Sequence, residues 1–273
     1  MMQATLRDTL RFEGVGLHTG AQCAVEVRPA NPGEGLSFVL GATRVPATVE
    51  NVRDTSRATV LGFESATVST TEHLLSALFA LGVTNAEIHV RGPEIPALDG
   101  SAAPFAAAID ACGLQTQPAE RKILELNDPV FIEAGDRLIV ALPAPAFRVR
   151  FVADFAPPIG TQYFDGKVEP AAFRSDVAGA RTFGYLHEVE SLLARGLARG
   201  GNLENALVFA PDGPMQPLRW PDEAVRHKVL DLIGDLALLG AWPQCEIVAV
   251  KSGHELHAAL TRALRTRLRV PSA

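Results

Sequence analysis

Apolar and polar residues alternate in several short segments, the pattern of a strand with one buried face. The alternation is clearest at 21–29, AQCAVEVRP, and at 86–92, AEIHVRG. It returns later in the chain in RLIVALP, FRVRFVADF and CEIVAVKSG. We therefore expect a strand at each of these segments.

Apolar residues at helical spacing predict helices between the strands. In STTEHLLSALFALG (69–82), Leu74, Leu75, Leu78 and Phe79 form an apolar stripe, and Ser69 with Glu72 matches a capping box. The other predicted helices cover 101–113, a segment near 187–196, a helix that opens at Pro221, and 254–268. In the helix that opens at Pro221, the apolar stripe consists of Val225, Val229, Leu232, Leu236 and Leu239.

Each half of the chain shows strands followed by helices, which favours an α+β fold over a parallel βαβ sheet. The polar segment LQTQPAERK (114–122) is typical of a linker, so we expect domains at 1–117 and 118–273. The segments EHLLSALFALG and HKVLDLIGDLALLG also resemble each other weakly. Internal duplication and generic helix composition both explain that similarity.

The composition and net charge limit the classes of protein to which this chain can belong. The net charge of −6 provides no basic surface, so nucleic acid is not an expected partner. The 3 cysteines are far apart and have no metal-binding spacing, which favours a reducing compartment. The N-terminal segment lacks the order of a signal peptide, and no apolar run reaches the roughly 20 residues of a membrane span. These features predict a cytoplasmic protein.

Polar residues interrupt the apolar segment RHKVLDLIGDL (226–236) at spacings of four. His227 and Asp231 share one helix face, and Asp235 follows one turn later. An exposed pair of this kind contributes about a few tenths of a kcal/mol, whereas a buried pair supplies two good zinc ligands. Asp235 can orient a metal ligand or bind a neighbouring backbone, and Gly234 permits close approach. The spacing alone leaves the exposed pair and the metal site open.

TTEH (70–73) strengthens the metal hypothesis, because His73 offers a second imidazole. Two imidazoles and a carboxylate leave a fourth zinc position for water, and Glu72 is placed to take its proton. The alternative for Glu72 is the carboxylate of the capping box. His254 follows a predicted strand and can act as an imidazolium acid. His257 is expected to point elsewhere and to be structural.

Six motifs in order resemble one known family, the zinc-dependent UDP-3-O-acyl-N-acetylglucosamine deacetylases of lipid A synthesis. The motifs are GVGLHTG, TEHLLSAL, PEIPALDGSAAPF, ARTFG, VRHKVLDLIGDL and KSGH, and the similarity spans about residues 5–256. The resemblance implies two similar domains, each with helices layered on a small, mostly antiparallel sheet, and an active site between them. It also implies hydrolysis of the substrate's N-acetyl amide, with release of acetate.

The resemblance implies a role for each matching residue. His73, His227 and Asp231 would hold Zn2+, and Glu72 would activate water, alone or together with His254. His254 would protonate the leaving nitrogen with help from Asp235, and Thr182 would donate to the oxyanion. The residues implied for substrate binding are Lys228 at the polar head, Phe183 at the sugar, and His18 and Glu188 at the nucleotide.

The family binds an acyl chain in an apolar passage made by an insert, and residues 184–209 occupy that region here. Leu186 and Leu192 can line such a passage or simply pack the insert onto its own domain. Asn202 and Glu204 depart from the expected serine and aspartate. Arg262, Arg265 and Arg269 share one face of the last helix, which leaves peripheral membrane contact as an alternative to a solvated face.

The sequence features are therefore consistent with three functions. The first is the deacetylase; the second is a zinc amidase for a different acylated amino sugar; the third is a non-catalytic sugar-nucleotide binder. The presence of all three implied ligands together with Glu72 and His254 argues against the binder. We expect a monomer whose partner is a small-molecule substrate.

Overall fold

The first half of the chain forms short strands and two helices, at the segments that the residue pattern predicts. The computed structural model describes residues 1–268. The strands are β1 (Met2–Leu6), β2 (Leu10–Val15), β3 (Gln22–Pro29), β4 (Leu36–Leu40), β5 (Thr43–Pro46), β6 (Val52–Asp54), β7 (Val60–Phe63), β8 (Ala66–Val68) and β9 (Ala86–Arg91). The helices are α1 (Glu72–Ala80), α2 (Ala103–Cys112) and a 3-10 turn at Val49–Asn51.

The second half of the chain also consists of short strands and helices. Its strands are β10 (Leu114–Glu120), β11 (Ile123–Glu125), β12 (Val130–Ala134), β13 (Arg137–Pro143), β14 (Arg148–Asp154), β15 (Thr161–Lys167), β16 (Phe183–Tyr185), β17 (Leu207–Ala210), β18 (Gly213–Pro214) and β19 (Trp242–Val250). Its helices are α3 (Pro170–Ala172) with a π-helical turn (Phe173–Val177), a 3-10 turn (Leu186–Glu188), α4 (Val189–Ala194), α5 (Glu223–Ala237) and α6 (His254–Arg265). Arg269 lies outside the described residues.

The main sheets of the two halves have the same topology. The first orders its strands β2-β3-β9-β4-β5, and the second orders them β12-β13-β19-β14-β15, with β11 added beside β19. Among the five corresponding strands of each sheet, one inner pair is parallel, β4 with β9 and β14 with β19, and the other neighbours are antiparallel. The added strand β11 is also parallel to β19. Helices also correspond, since α1 and α2 flank β9 as α5 and α6 flank β19. The predicted α+β fold of two similar halves is confirmed, and the shared topology favours duplication.

The predicted linker at 114–122 is wrong, because most of it is strand β10. This strand pairs with β1 at the chain's start, from Leu6 opposite Leu114 to Met2 opposite Glu120. The register shifts between Met2 and Ala4, on the side facing residues 117–119, so Pro118 can lie in the strand without donating a ladder hydrogen bond. A domain boundary between residues 117 and 118 would fall inside β10, and the boundary stays a prediction.

Helices α1 and α5 pack along each other at the centre of the molecule. Every residue of α1 is buried, and both predicted apolar stripes lie in one continuous core. Gly234 of α5 faces the first turn of α1, where an added Cβ would overlap the backbone carbonyl of Glu72. No helix within residues 1–268 has the length and apolarity needed to cross a membrane.

We expect Gly234→Ala to destabilise the protein, although alanine in a helix interior normally gains about 1 kcal/mol over glycine. The added methyl group must push α1 away from α5, and overpacking of this kind costs about 1–3 kcal/mol or more. Denaturant unfolding measures the change. Gly184→Ala is the control, because its Cβ would meet no atom within 4 Å. Equal unfolding midpoints for both variants would contradict the close contact.

Candidate active site

The predicted metal and catalytic residues other than Asp235 line one cavity, where the start of α1, the first half of α5 and the start of α6 come together. The cavity has a volume of about 710 Å3. Its lining includes His18, Glu72, His73, Thr182, Phe183, Glu188, His227, Lys228, Asp231 and His254. Within the described chain, Asp235, Leu186 and Leu192 are not part of this lining.

The side chains of His73, His227 and Asp231 converge on one point and are all buried. Asp231 Oδ1 lies 3.4 Å from His227 Nε2 and 3.9 Å from His73 Nε2. Tetrahedral ligands about 2.1 Å from a zinc ion lie roughly 3.4 Å apart. The three ligand atoms therefore fit around a single cation after a small movement of His73.

Both imidazoles are in the neutral form that binds metals. His227 Nδ1 donates to the carbonyl oxygen of Ala180 at 3.0 Å, so the lone pair of Nε2 faces Asp231. Burial lowers the pKa of His73 to about 3, and the neighbouring His227 ring lowers it as well. Burial also lowers the pKa of His227. Neither ring needs to lose a proton before it can coordinate at neutral pH.

The carboxylate of Asp231 is charged and anchored from one side. Lys228 Nζ donates to Asp231 Oδ2 at 2.6 Å, which leaves Oδ1 facing the imidazoles. Burial alone would raise the pKa of Asp231, but Lys228 and the surrounding imidazoles hold it well below its usual range. Lys228 also lines the cavity, and its contact with a substrate stays a prediction.

Glu72 begins helix α1, so the predicted capping box is wrong. The N-cap is Thr71 without a side-chain hydrogen bond, and Ser69 lies outside the helix. The backbone of Thr70 is in the left-handed region, with φ 57°, which turns the chain sharply into α1. Glu72 Oε2 accepts the backbone N–H of Thr59 at 3.1 Å. Burial, with Asp231 and the other acids nearby, raises the pKa of Glu72 to about 8.

His254 presents one ring nitrogen to the cavity and the other to a buried acid. Its Nε2 lies 3.9 Å from Glu72 Oε1 and 3.8 Å from Asp231 Oδ2. Its Nδ1 donates to Asp235 Oδ2 at 2.8 Å. Burial lowers the pKa of His254, but Asp235 and the other two carboxylates outweigh it and raise the pKa to about 9. His254 is therefore an imidazolium at neutral pH.

Sequence reasoning missed two residues that support this arrangement. Thr59 Oγ1 donates to Asp235 Oδ1, and the backbone of Thr59 also binds Glu72. His257 does not point away as expected, since its Nδ1 lies 2.8 Å from Asp235 Oδ2. The spacing of three between His254 and His257 places both rings on one helix face and offered a signal. Thr59 offered none, because a loop between β6 and β7 brings it to the site.

Glu94 is a third supporting residue that the sequence did not reveal. Its buried carboxylate accepts the backbone N–H groups of His18 and Thr19 at 2.9–3.2 Å and the hydroxyl groups of Thr19 and Thr70 at 2.8 and 2.7 Å. These bonds tie the GLHTG loop to the turn that precedes α1. The position of His18 at the cavity therefore depends on Glu94.

Thr182 and Phe183 form another part of the cavity wall. The Thr182 backbone N–H donates to Gly100 at 2.8 Å, and its carbonyl oxygen accepts the N–H of Leu207 at 2.8 Å. Phe183 lies edge-on to the His227 ring, with ring centroids 6.1 Å apart. The backbone N–H and carbonyl groups of Thr182 are thus both hydrogen-bonded, and Phe183 packs next to His227.

The insert residues are more exposed than the rest of the site. Glu188 Oε2 lies 3.5 Å from Arg57 Nη1, and both residues line the cavity. Leu186 is 45% exposed, and Leu192 is partly buried. The structure therefore brings Glu188 to the site and leaves both leucines outside the cavity wall.

A buried set of two imidazoles and one carboxylate, with an ionisable carboxyl and an imidazolium beside it, is the kind of site that metal-dependent hydrolases use. Here it lies between two similar α+β halves.

Sequence comparisons identify the family within that class. The family described as "LpxC: UDP-3-O-acyl N-acetylglycosamine deacetylase" matches residues 3–266. The UDP-3-O-acyl-N-acetylglucosamine deacetylase of Phenylobacterium zucineum is 47% identical and covers 98% of this chain and 94% of the relative. Proteins of the same name from Syntrophotalea carbinolica and Myxococcus xanthus are 44% and 43% identical, over 93% and 95% of this chain and 85% of each relative. The chain belongs to this deacetylase family, and the predicted membership is confirmed.

We expect Glu72 to make the metal-free protein less stable as pH rises. The folded state raises the pKa of Glu72 from 4.5 to about 8, so it binds the proton more tightly than the unfolded state. Its contribution is full below about pH 4.5 and is lost as pH rises through about 8. Glu72→Gln has no proton to lose. The free energies of unfolding of the wild type and Glu72→Gln, both measured with a metal chelator, should therefore converge or cross between about pH 4.5 and 8. Parallel curves would contradict the raised pKa of Glu72.

Proposed function

We propose that this chain hydrolyses the N-acetyl amide of UDP-3-O-(3-hydroxyacyl)-N-acetylglucosamine and releases acetate, an early step of lipid A synthesis. The observation that carries this proposal is the convergence of His73, His227 and Asp231 beside Glu72 and His254 at one cavity. The substrate is taken from the names of the curated relatives, which cover nearly the whole chain.

We further propose that the resident metal is Zn2+, held by His73, His227 and Asp231. Neutral imidazole nitrogen and carboxylate oxygen suit zinc, and three protein ligands are typical of catalytic zinc sites. When bound, zinc supplies Lewis-acid chemistry, since it polarises a carbonyl group and acidifies water. The side chains around the cavity transfer the protons and bind the substrate.

Glu72 is the proposed base. Its carboxyl group lies next to the three ligands, and a nearby positive charge favours the ionised form of a carboxyl group. The ionised carboxylate takes a proton from the attacking water as the C–O bond forms. The Thr59 backbone N–H holds Oε2, so the proton is accepted at Oε1, which faces His254.

His254 is the proposed acid. Its pKa of about 9 keeps the ring protonated at neutral pH, and its Nε2 is the nitrogen that faces the cavity. When the C–N bond breaks, this proton passes to the leaving nitrogen, so water and amide become amine and acetic acid, which ionises to acetate. The proton that Glu72 took from water then returns to His254, whose Nε2 lies 3.9 Å from Glu72 Oε1, and both side chains regain their starting charges. Asp235 holds the ring through Nδ1, and the Thr182 hydroxyl donates to the carbonyl oxygen as negative charge develops there.

The remaining cavity residues bind the substrate in this proposal. Phe183 packs against the sugar, Lys228 approaches the polar head, and His18 and Glu188 contact the nucleotide. Leu186 and Leu192 lie in the segment 184–209 outside the cavity wall, where they would border the path of the acyl chain.

The cellular setting is also a proposal. The free state of Cys23, Cys112 and Cys245 agrees with a reducing cytoplasm, and we expect a monomer. Peripheral membrane contact through the last helix has less support, since Arg265 pairs with Glu50 at 2.6 Å. Nothing in the cavity favours a different amino sugar, and the intact donor set argues against a non-catalytic binder.

Glu72→Gln should keep the metal and lose deacetylation. Glutamine has nearly the same shape but cannot accept the water's proton, so we expect kcat to fall about 10²–10⁴-fold. Metal analysis should find about one zinc per chain in wild type and variant alike. Undiminished turnover would remove Glu72 from the mechanism, and a zinc-loaded wild type that leaves this substrate intact would favour another acylated sugar.

Leu192→Asn should weaken binding of long acyl chains only. Loss of a buried leucine contact costs about 1.5–3 kcal/mol, so KM for a long-chain substrate should rise roughly 10–100-fold. A short-chain analogue should show little change, because it would not reach this residue. Leu203→Asn is the control, since Leu203 is 49% exposed in the same segment. Equal effects on both chain lengths would contradict the acyl path.

A further inference from the structure

We propose that His257 is a positioning residue for the reaction: as a neutral imidazole it fixes the carboxylate of Asp235, which in turn aims His254 at the cavity. This inference rests on the proposed role of His254 as the acid. His257 itself lies behind the site, since it is fully buried and lies outside the cavity lining found within residues 1–268.

The position of His257 follows from helix geometry. His254 and His257 are three residues apart on α6, so both rings project toward α5. His254 Nδ1 and His257 Nδ1 each lie 2.8 Å from Asp235 Oδ2. The other nitrogen of His257, Nε2, lies 3.0 Å from Ser252 Oγ in the loop before the helix.

The hydrogen bonds to Asp235 place a proton on Nδ1 of each ring. An ionised carboxylate has no hydrogen to give, so both Nδ1 atoms must donate to Asp235. Thr59 Oγ1 donates to the other oxygen, Oδ1. Asp235 is therefore held by three donors from two parts of the chain. Burial lowers the pKa of His257, which favours the neutral ring, and in that form Nε2 accepts the Ser252 hydroxyl at 3.0 Å.

A packing role alone does not account for this contact. Phe151 meets the His257 ring edge-on at 6.3 Å, and an apolar side chain of similar size would serve that contact. Burial of an imidazole costs free energy unless its nitrogens are paired. Here the pairing acts on Asp235, because without the second donor its Oδ2 could rotate away from His254. The His254 ring would then lose its fixed direction.

Two matched variants separate the two contacts of His257. The amide nitrogen of asparagine stands as many bonds from Cα as Nδ1 of histidine, so His257→Asn can still donate to Asp235. The amide of glutamine is one bond farther out, near the place of Nε2, so His257→Gln can serve Ser252 but not Asp235. His257→Leu removes both contacts.

We expect kcat to separate these variants. Loss of a positioning contact of this kind typically costs about 10–100-fold. The kcat of His257→Leu and of His257→Gln should therefore fall by that factor, while the kcat of His257→Asn stays within about threefold of wild type. KM should change by less than about twofold in all three, because His257 touches no substrate. Equal losses in Asn and Gln, or losses that follow the melting temperatures, would overturn the proposal.

A double-mutant cycle tests whether the effect passes through Asp235. In an Asp235→Asn background, His257→Leu should lower kcat by less than about twofold further, because residues that act as a unit are not additive. An undiminished effect in that background would show that His257 acts by another route.

NMR of protein labelled with 15N-histidine provides a readout that needs no activity. We expect the neutral tautomer of His257 with the proton on Nδ1, in the metal-free and in the zinc-loaded protein. A proton on Nε2 would overturn the proposal. Failure of the wild type to hydrolyse the acylated substrate would contradict the proposed function. The NMR measurement of the His257 tautomer would still test, independently of activity, whether His257 donates to Asp235.

Discussion

The close approach of the first turn of α1 to α5 at Gly234 is the contact on which the site depends. Glu72 and His73 begin α1, and Asp231 lies one turn before Gly234 on α5. With no side chain at position 234, the helix backbones approach closely enough for these groups to share one cavity wall. Separation of the helices would move His73 away from His227 and Asp231, the other two proposed metal ligands.

The same contact buries several acids and imidazoles together, and their different surroundings give them different charges. Burial holds Glu72 toward its neutral form, whereas Lys228 keeps Asp231 ionised. Burial leaves His73 neutral, but Asp235 keeps His254 protonated. Titratable groups whose pKa values diverge in this way are typical of sites that assign ligand, base and acid to separate residues. Each buried charge has a named partner, which limits the desolvation cost.

The shared topology of the two halves shows where the parts of the site come from. Helices α1 and α5 hold equivalent places in the two halves, before β9 and before β19. The loop with Thr59 and the strand with Phe183 also lie in equivalent inserts, one after β5 and one after β15. Yet the two halves contribute different chemistry. One brings the proposed base and one proposed metal ligand, and the other brings two proposed ligands and the proposed acid. A single asymmetric site has thus formed between two similar halves.

The sequence alone determined the α+β elements and the family, because periodic burial and separated motifs are local features of the chain. It also placed His227 and Asp231 on one face of a helix, because that contact depends only on their spacing, and it singled out His73 as the third residue of the proposed ligand set. It failed at β10, where pairing with β1 overrode a polar, proline-containing segment, and at Glu72, where the capping-box pattern matched a residue used otherwise. Only the tertiary structure brought in Thr59, Glu94 and His257. The partners of Thr59 and Glu94 lie in other segments, and those hydrogen bonds depend on packing, which leaves no pattern in neighbouring residues. The spacing of His257 from His254 was a local signal, but its contact with Asp235 on α5 also depends on packing.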